Sequence, residues 1–235
     1  MRLTTVADPA AAATKCAETL ANDLRSALAA RGVAHIALNG GSTPRPVYEQ
    51  LPALLEDWSA VHVWFGDERC VAPDDPESNF RLASETLIEG AELRADQVHR
   101  MRGELGPDEG AKAYAAELAE HLELGDGGLP VLDVVHLGLG PDGHTASLFP
   151  HHQALKVSGW ATVGIQDSPK PPPERISLSL ACLNAARRRI LHTVGEDKRA
   201  AVERVLAPAD PGTPASLLER FGLELIVDDA AHPTP

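Results

Sequence analysis

The chain has 235 residues, 43% of them hydrophobic, a size that suits one α/β domain (1–235) burying about 70–75% of its unfolded surface. Its 21 Lys and Arg against 34 Asp and Glu leave a net charge of −13, a field that repels nucleic acid and anionic membranes and argues against both as partners. The opening MRLTTVADPAAAATKCAETL lacks the apolar core of a signal peptide, and Cys16, Cys70 and Cys182 are odd in number and fit no metal spacing, so a cytoplasmic protein with reduced thiols is expected.

In chain order, the Ala- and Leu-rich stretch Ala10–Arg31 has helical spacing, with Gly32 as its left-handed terminator. Val33–Leu38 is a short apolar strand that runs into Asn39, Gly40, Gly41, Ser42, Thr43 and Pro44 and then a helix over Arg45–Leu55. Ser42 or Thr43 is the N-cap, Pro44 suits the first helical position, and the two glycines let backbone N–H groups converge into an anion site. The lysine of a Walker P-loop is missing, and an ordinary capped βα turn fits the same residues. Val61–Phe65 is the next strand and delivers Gly66, Asp67, Glu68 and Arg69, where three charges follow a buried strand directly. A solvated charged turn fits that cluster equally well. A helix follows near Ser78–Ile88, an amphipathic one over Pro107–Leu124, and a loop at Gly125–Gly128.

The apolar run Val131–Leu139 reads as a buried strand of a parallel sheet. It ends in Gly138, Gly140 and Gly143, with Asp142, His144, Thr145 and Ser147 crowded at its exit before Pro150. Loops at the carboxyl ends of strands are where open α/β sheets bind ligands, and a histidine there suits proton transfer near neutral pH. Strands over Ala161–Ile165, Arg175–Leu180, Arg188–Val194 and Leu223–Val227 complete the alternation, with a stiff Asp167–Pro173 connector, a helix from Gly195-Glu-Asp-Lys198 through Leu206, and another over Pro214–Phe221. The glycines 138, 140 and 143 spell a dinucleotide fingerprint, but Pro141 removes an N–H from it, Pro150 cuts the following helix short, and it lies past mid-chain. A nicotinamide enzyme is therefore not expected.

Three loops, GGSTP (40–44), GDERCVAPDDPESN (66–79) and GLGPDGHTASLFP (138–150), together resemble 6-phosphogluconolactonases in order and spacing over nearly the whole chain. PPPERISLSL (171–180), GEDK (195–198) and PASLL (214–218) add to the resemblance. It implies a Rossmann-like three-layer α/β/α sandwich with a mostly parallel sheet. It also implies hydrolysis of 6-phospho-D-glucono-1,5-lactone without metal, nucleotide or other cofactor, by a monomer or small homo-oligomer. The related glucosamine-6-phosphate deaminases carry a Tyr where Arg69 stands and a Glu where Phe149 stands, so the lactonase is the better match.

Lactone hydrolysis needs a held phosphate, a deprotonated water and a stabilised oxyanion. The resemblance implies His144 as general base, with Asp67 orienting it or touching a substrate hydroxyl. A histidine that merely caps a following helix is the plain alternative for His144. Gly40, Gly41, Ser42 and Thr43 are expected to bind phosphate, completed by Arg175 as a bidentate fork and Lys198 as a point charge. Arg69 is expected on phosphate or lactone, and backbone N–H groups around Gly140–Gly143, with Asp142 and Gly143, near the oxyanion. His151 and His152 read as exposed, and His35, His62, His99, His121, His136, His192 and His232 match no ligand spacing. Asn39 and Asp75–Pro76 depart from the usual pattern. A sugar-phosphate sensor without turnover, or an enzyme for a related phosphorylated lactone, shares the same loops.

Overall fold

A computed structural model describes residues 1–233. Six parallel strands form the main sheet in the order β1-β9-β8-β5-β2-β3: β1 (Arg2–Val6), β2 (Ala34–Leu38), β3 (Val61–Phe65), β5 (Val134–Gly138), β8 (Arg188–Thr193) and β9 (Leu223–Asp228). A small antiparallel sheet, β4-β7-β6, is made of β4 (Asp67–Arg69), β6 (Thr162–Ile165) and β7 (Arg175–Leu178). Helices cover both faces of the main sheet, so the mostly parallel α/β reading stands.

Helix α1 (Pro9–Arg31) shows how local chemistry sets an element. The Asp8 carboxylate accepts the Ala11 N–H at 2.8 Å, Pro9 fills the first turn, and Gly32 turns the chain at φ 73° with its N–H on Leu28 O at 2.8 Å. Its buried stripe of Ala, Leu20, Leu24 and Cys16 packs across β1, β2, β5, β8 and β9. Asp133, just before β5, accepts the His35 N–H at 2.8 Å and the Arg31 guanidinium at 2.5 Å, tying the end of α1 to the start of β2.

Four local expectations need correction. Arg2–Val6 is a strand, unannounced in the sequence because this half-exposed edge segment lacks a continuous apolar run. The helix expected to Leu55 is α2 (Arg45–Gln50) followed by a 3-10 turn over Leu51–Leu54, since Pro52 has no N–H to continue the α ladder. The residue that caps α2 is Pro44, with no side-chain hydrogen bond, so neither Ser42 nor Thr43 serves as the cap. Pro214–Phe221 forms only a 3-10 turn over Pro214–Leu217, because the Asn184 amide takes the Leu217 carbonyl and the Glu219 N–H.

The chain leaves β2 toward β3 on one side and returns to β5 on the other. The loops after β2 and β5 therefore diverge, and a crevice opens at that switch point. Both glycine loops meet there.

Candidate active site

A cleft of about 240 Å³ opens at this crevice, lined by the 39–43 loop, Gly138–Pro141, His144, Lys170, His192, Thr193 and Lys198, with Arg69 on its rim. No helix follows Gly143; residues 144–150 are a chain of turns, so His144 caps nothing there. Its Nδ1 lies 2.5 Å from Asp142 Oδ1, and its ring rests on Phe149 with centroids 4.8 Å apart. With Nδ1–H donated to the carboxylate, Nε2 keeps its lone pair and makes no hydrogen bond among the described residues. Burial alone would raise Asp142, but the His144 hydrogen bond and charge, with Lys170, hold its carboxyl well below the usual carboxylate range. Gly140 makes the pair possible, since a Cβ there would sit 2.0 Å from His144 Nδ1.

Lys170 escapes a sequence reading. Its Nζ lies 3.5 Å from Asp142 Oδ1 and 3.3 Å from His144 Nδ1. The signal was a lone cation inside the Ser-Pro-Lys-Pro-Pro-Pro run, where proline stiffness can aim a side chain at low entropic loss.

Arg175, expected on phosphate, does not line the cleft. Its guanidinium is buried, donates to the carbonyls of Lys170, Pro171 and Pro172, and lies over the Phe149 ring at 5.8 Å. It thus props the segment that carries Lys170. Asp67, expected to orient His144 or touch substrate, makes no hydrogen bond to His144 and does not line the cleft. It is buried, accepting from Ser147 Oγ at 2.6 Å and Asn79 Nδ2 at 3.1 Å, and so ties the 144–150 turns to α3 (Asn79–Ala83). The position beside His144 belongs to Asp142. Glu68 is buried too, accepting the N–H groups of Arg69, Asn79 and Phe80. Two of the expected oxyanion donors are engaged within the loop: Gly140 N–H bonds His144 O at 2.9 Å and Gly143 N–H bonds Gly140 O at 2.8 Å. Gly143, at φ 90°, turns the chain against Thr213 instead of lining the cleft.

The remaining expected residues do converge. Gly40, Gly41, Ser42 and Thr43 form one wall, with Gly41 at φ 97° and Gly40 packed so closely that a Cβ would strike the Asn79 side chain. Lys198 faces them across the cleft, its Nζ 3.5 Å from Asp197. Arg69 bonds Glu77 O, and its buried Nε has no partner among the described residues. Beyond Gly41, Ser42 and Arg69 the cleft continues into a second hollow of about 400 Å³ edged by Arg45 and Arg81, both paired to Glu85. A local positive wall thus exists within a chain of net charge −13.

Fold and site together define a doubly wound α/β protein whose switch-point cleft pairs a carboxylate-oriented imidazole with cations suited to an anionic ligand. The chain belongs to the glucosamine-6-phosphate isomerases/6-phosphogluconolactonase family, whose sequence profile matches residues 7–227. It is 36% identical to a 6-phosphogluconolactonase of Nostoc sp. over 228 residues, covering 95% of this chain and 93% of that one. The human 6-phosphogluconolactonase is 38% identical over 210 residues, 88% of this chain and 80% of that one. The solved 6-phosphogluconolactonase of Trypanosoma brucei superposes with a TM-score of 0.86 at 28% identity, covering 98% of this chain and 97% of that one.

Proposed function

We propose that the protein hydrolyses 6-phospho-D-glucono-1,5-lactone to 6-phospho-D-gluconate, the lactone-opening step of the oxidative pentose phosphate pathway, with His144 as general base. The observation that carries this reading is the Asp142–His144 pair at 2.5 Å, which leaves Nε2 unengaged in a cleft lined by Lys170 and Lys198. Nε2 takes a proton from water as the water oxygen attacks C1 and the carbonyl electrons move onto oxygen. Collapse of the tetrahedral intermediate breaks the bond from C1 to the ring oxygen, and the imidazolium returns its proton to that oxygen. Asp142 holds the tautomer and offsets the charge that the ring carries between the two transfers. Lys170 supplies positive charge for the developing oxyanion, a role the engaged glycine N–H groups leave open. Ser42 and Thr43, not used as helix caps, bind the phosphate with Lys198 and Arg69. The three free thiols support a cytoplasmic location, and no helix among the described residues is long and apolar enough to cross a membrane.

The test is acid release from freshly prepared lactone, measured above its spontaneous hydrolysis. The expected result is rapid release by the native chain and a drop of about 10²–10⁴ in His144→Ala. Native protein at the blank rate would overturn the lactonase reading in favour of a binding protein or another phosphorylated substrate. A fully active variant would remove His144 from the chemistry.

A further inference from the structure

Beneath the cleft floor, three residues that share no sequence motif meet inside the core. Cys16 from α1, His136 from β5 and His192 from β8 are each at most 2% exposed, and one ligand atom from each lies within 4.8 Å of the other two. Cys16 Sγ is 3.4 Å from His136 Nε2, and the two imidazoles stack at 5.8 Å.

The Tyr48 hydroxyl accepts the Asn39 N–H and lies 2.9 Å from His136 Nδ1, which holds the ring with Nε2 facing the Cys16 thiol. An outer hydrogen bond that sets the tautomer and orients the ring is the usual support of a metal-binding histidine. His192 supplies the independent observation. Both of its ring nitrogens are buried and neither has a hydrogen-bond partner among the described residues, an arrangement that proteins seldom leave unfilled. His192 also lines the cleft, which gives an ion a way in.

We propose that Cys16, His136 and His192 form a binding site for a single thiophilic monovalent metal ion of the Cu(I) class, separate from the hydrolytic site. With bonds of the length zinc makes, about 2.3 Å to sulfur and about 2.0 Å to nitrogen, tetrahedral to trigonal angles leave S and N about 3.5 to 3.7 Å apart, near the 3.4 Å seen. Thiolate and imidazole donors select soft ions, and a site this closed has no room for the waters that hard ions retain. Charge chooses among the soft ions. A thiolate with a monovalent cation is neutral, whereas a divalent ion would leave a buried positive charge. The nearby carboxylates are otherwise engaged: Glu224 with Thr4 and Arg188, Asp228 with the N–H groups of Gly195 and Ala231. Binding exchanges the Cys16 S–H bond for an S–metal bond; one proton leaves to solvent and no electron moves.

The experiment is an anaerobic titration of reduced, metal-free protein with Cu(I) supplied by a chromophoric chelator, followed by thermal melts. One equivalent is expected to leave the chelator and raise the melting temperature. Cys16→Ala, a residue the Ala-rich helix face already accommodates, and His192→Phe should each lower affinity by at least about 100-fold. Cys70→Ala, which removes the half-buried thiol elsewhere, should bind as the native chain does. Melts of the unloaded variants establish that they fold. Unchanged uptake in folded Cys16→Ala, or no equivalent bound by the native chain, would overturn the site. Tighter binding of Zn²⁺ than of Cu(I) at the same residues would overturn the choice of a monovalent ion.

Discussion

At the scale of single residues, the site turns on how His144 is held. Asp142 Oδ1 receives both the imidazole Nδ1–H at 2.5 Å and the Lys170 ammonium at 3.5 Å, so one carboxylate oxygen sets the tautomer and anchors a cation. Asp142→Asn keeps the shape but removes the charge, and its amide can turn an N–H toward Nδ1 and favour the wrong tautomer. We expect kcat on the lactone to fall roughly 10- to 100-fold with KM little changed, a smaller loss than removal of His144 itself. A larger effect on KM than on kcat would place Asp142 among the substrate-binding groups instead.

At the scale of elements, the loops work because glycine and buried charge let backbone segments approach. An added methyl at Gly140 would lie 2.0 Å from His144 Nδ1 and 2.5 Å from Asp142 Oδ1, so Gly140→Ala must push the pair apart. Displacement by about 1 Å can lower a rate about 10²-fold, and we expect a loss of that order with a nearly unchanged melting temperature. Asp133 makes the opposite case, stability without chemistry. It is buried, holds Arg31 and the His35 N–H, and lies 3.5 Å from Arg187. Asp133→Ala leaves the His35 N–H and the Arg31 guanidinium without this partner, and chemical denaturation should show a loss of about 3 kcal/mol with kcat intact.

At the scale of the molecule, the histidines that fill the sheet face beside β3 make stability depend on pH. Burial, then the neighbouring His62, His99 and His121 and the Arg31 charge, lower His35 to about 4. The Trp64 indole N–H donates to His35 Nδ1 at 3.1 Å, a bond that only the neutral ring accepts. His62 is lowered as well, chiefly by burial; its Nδ1 lies 2.9 Å from His99 Nε2, and His99 Nδ1 lies 2.8 Å from Glu117. The unfolded chain protonates His35 and His62 near 6.5 while the fold disfavours their charged forms, so between about 6.5 and 4 the unfolded state binds more protons. Their contribution is whole above that window and is lost as pH falls through it. Melting temperatures taken from pH 7.5 to 4 should decline steeply over this range, and His35→Gln should flatten the decline. An equal slope in that variant would shift the effect to other groups.

What the sequence by itself determined is what lies within a few residues. The Gly32 end of α1, the apolar strands, the glycine loops after β2 and β5, and the prominence of His144 all follow from local composition. Tertiary structure decided which charges meet. Lys170 reaches a histidine 26 positions away, and Cys16 and His136 touch across 120. Arg175 and Asp67 look like site residues in their motifs, yet the fold turns one onto three carbonyls and the other onto Ser147 and Asn79. The physical reason is that a buried charge must find partners wherever the packed chain offers them, and no spacing along a strand or loop records where those partners will be.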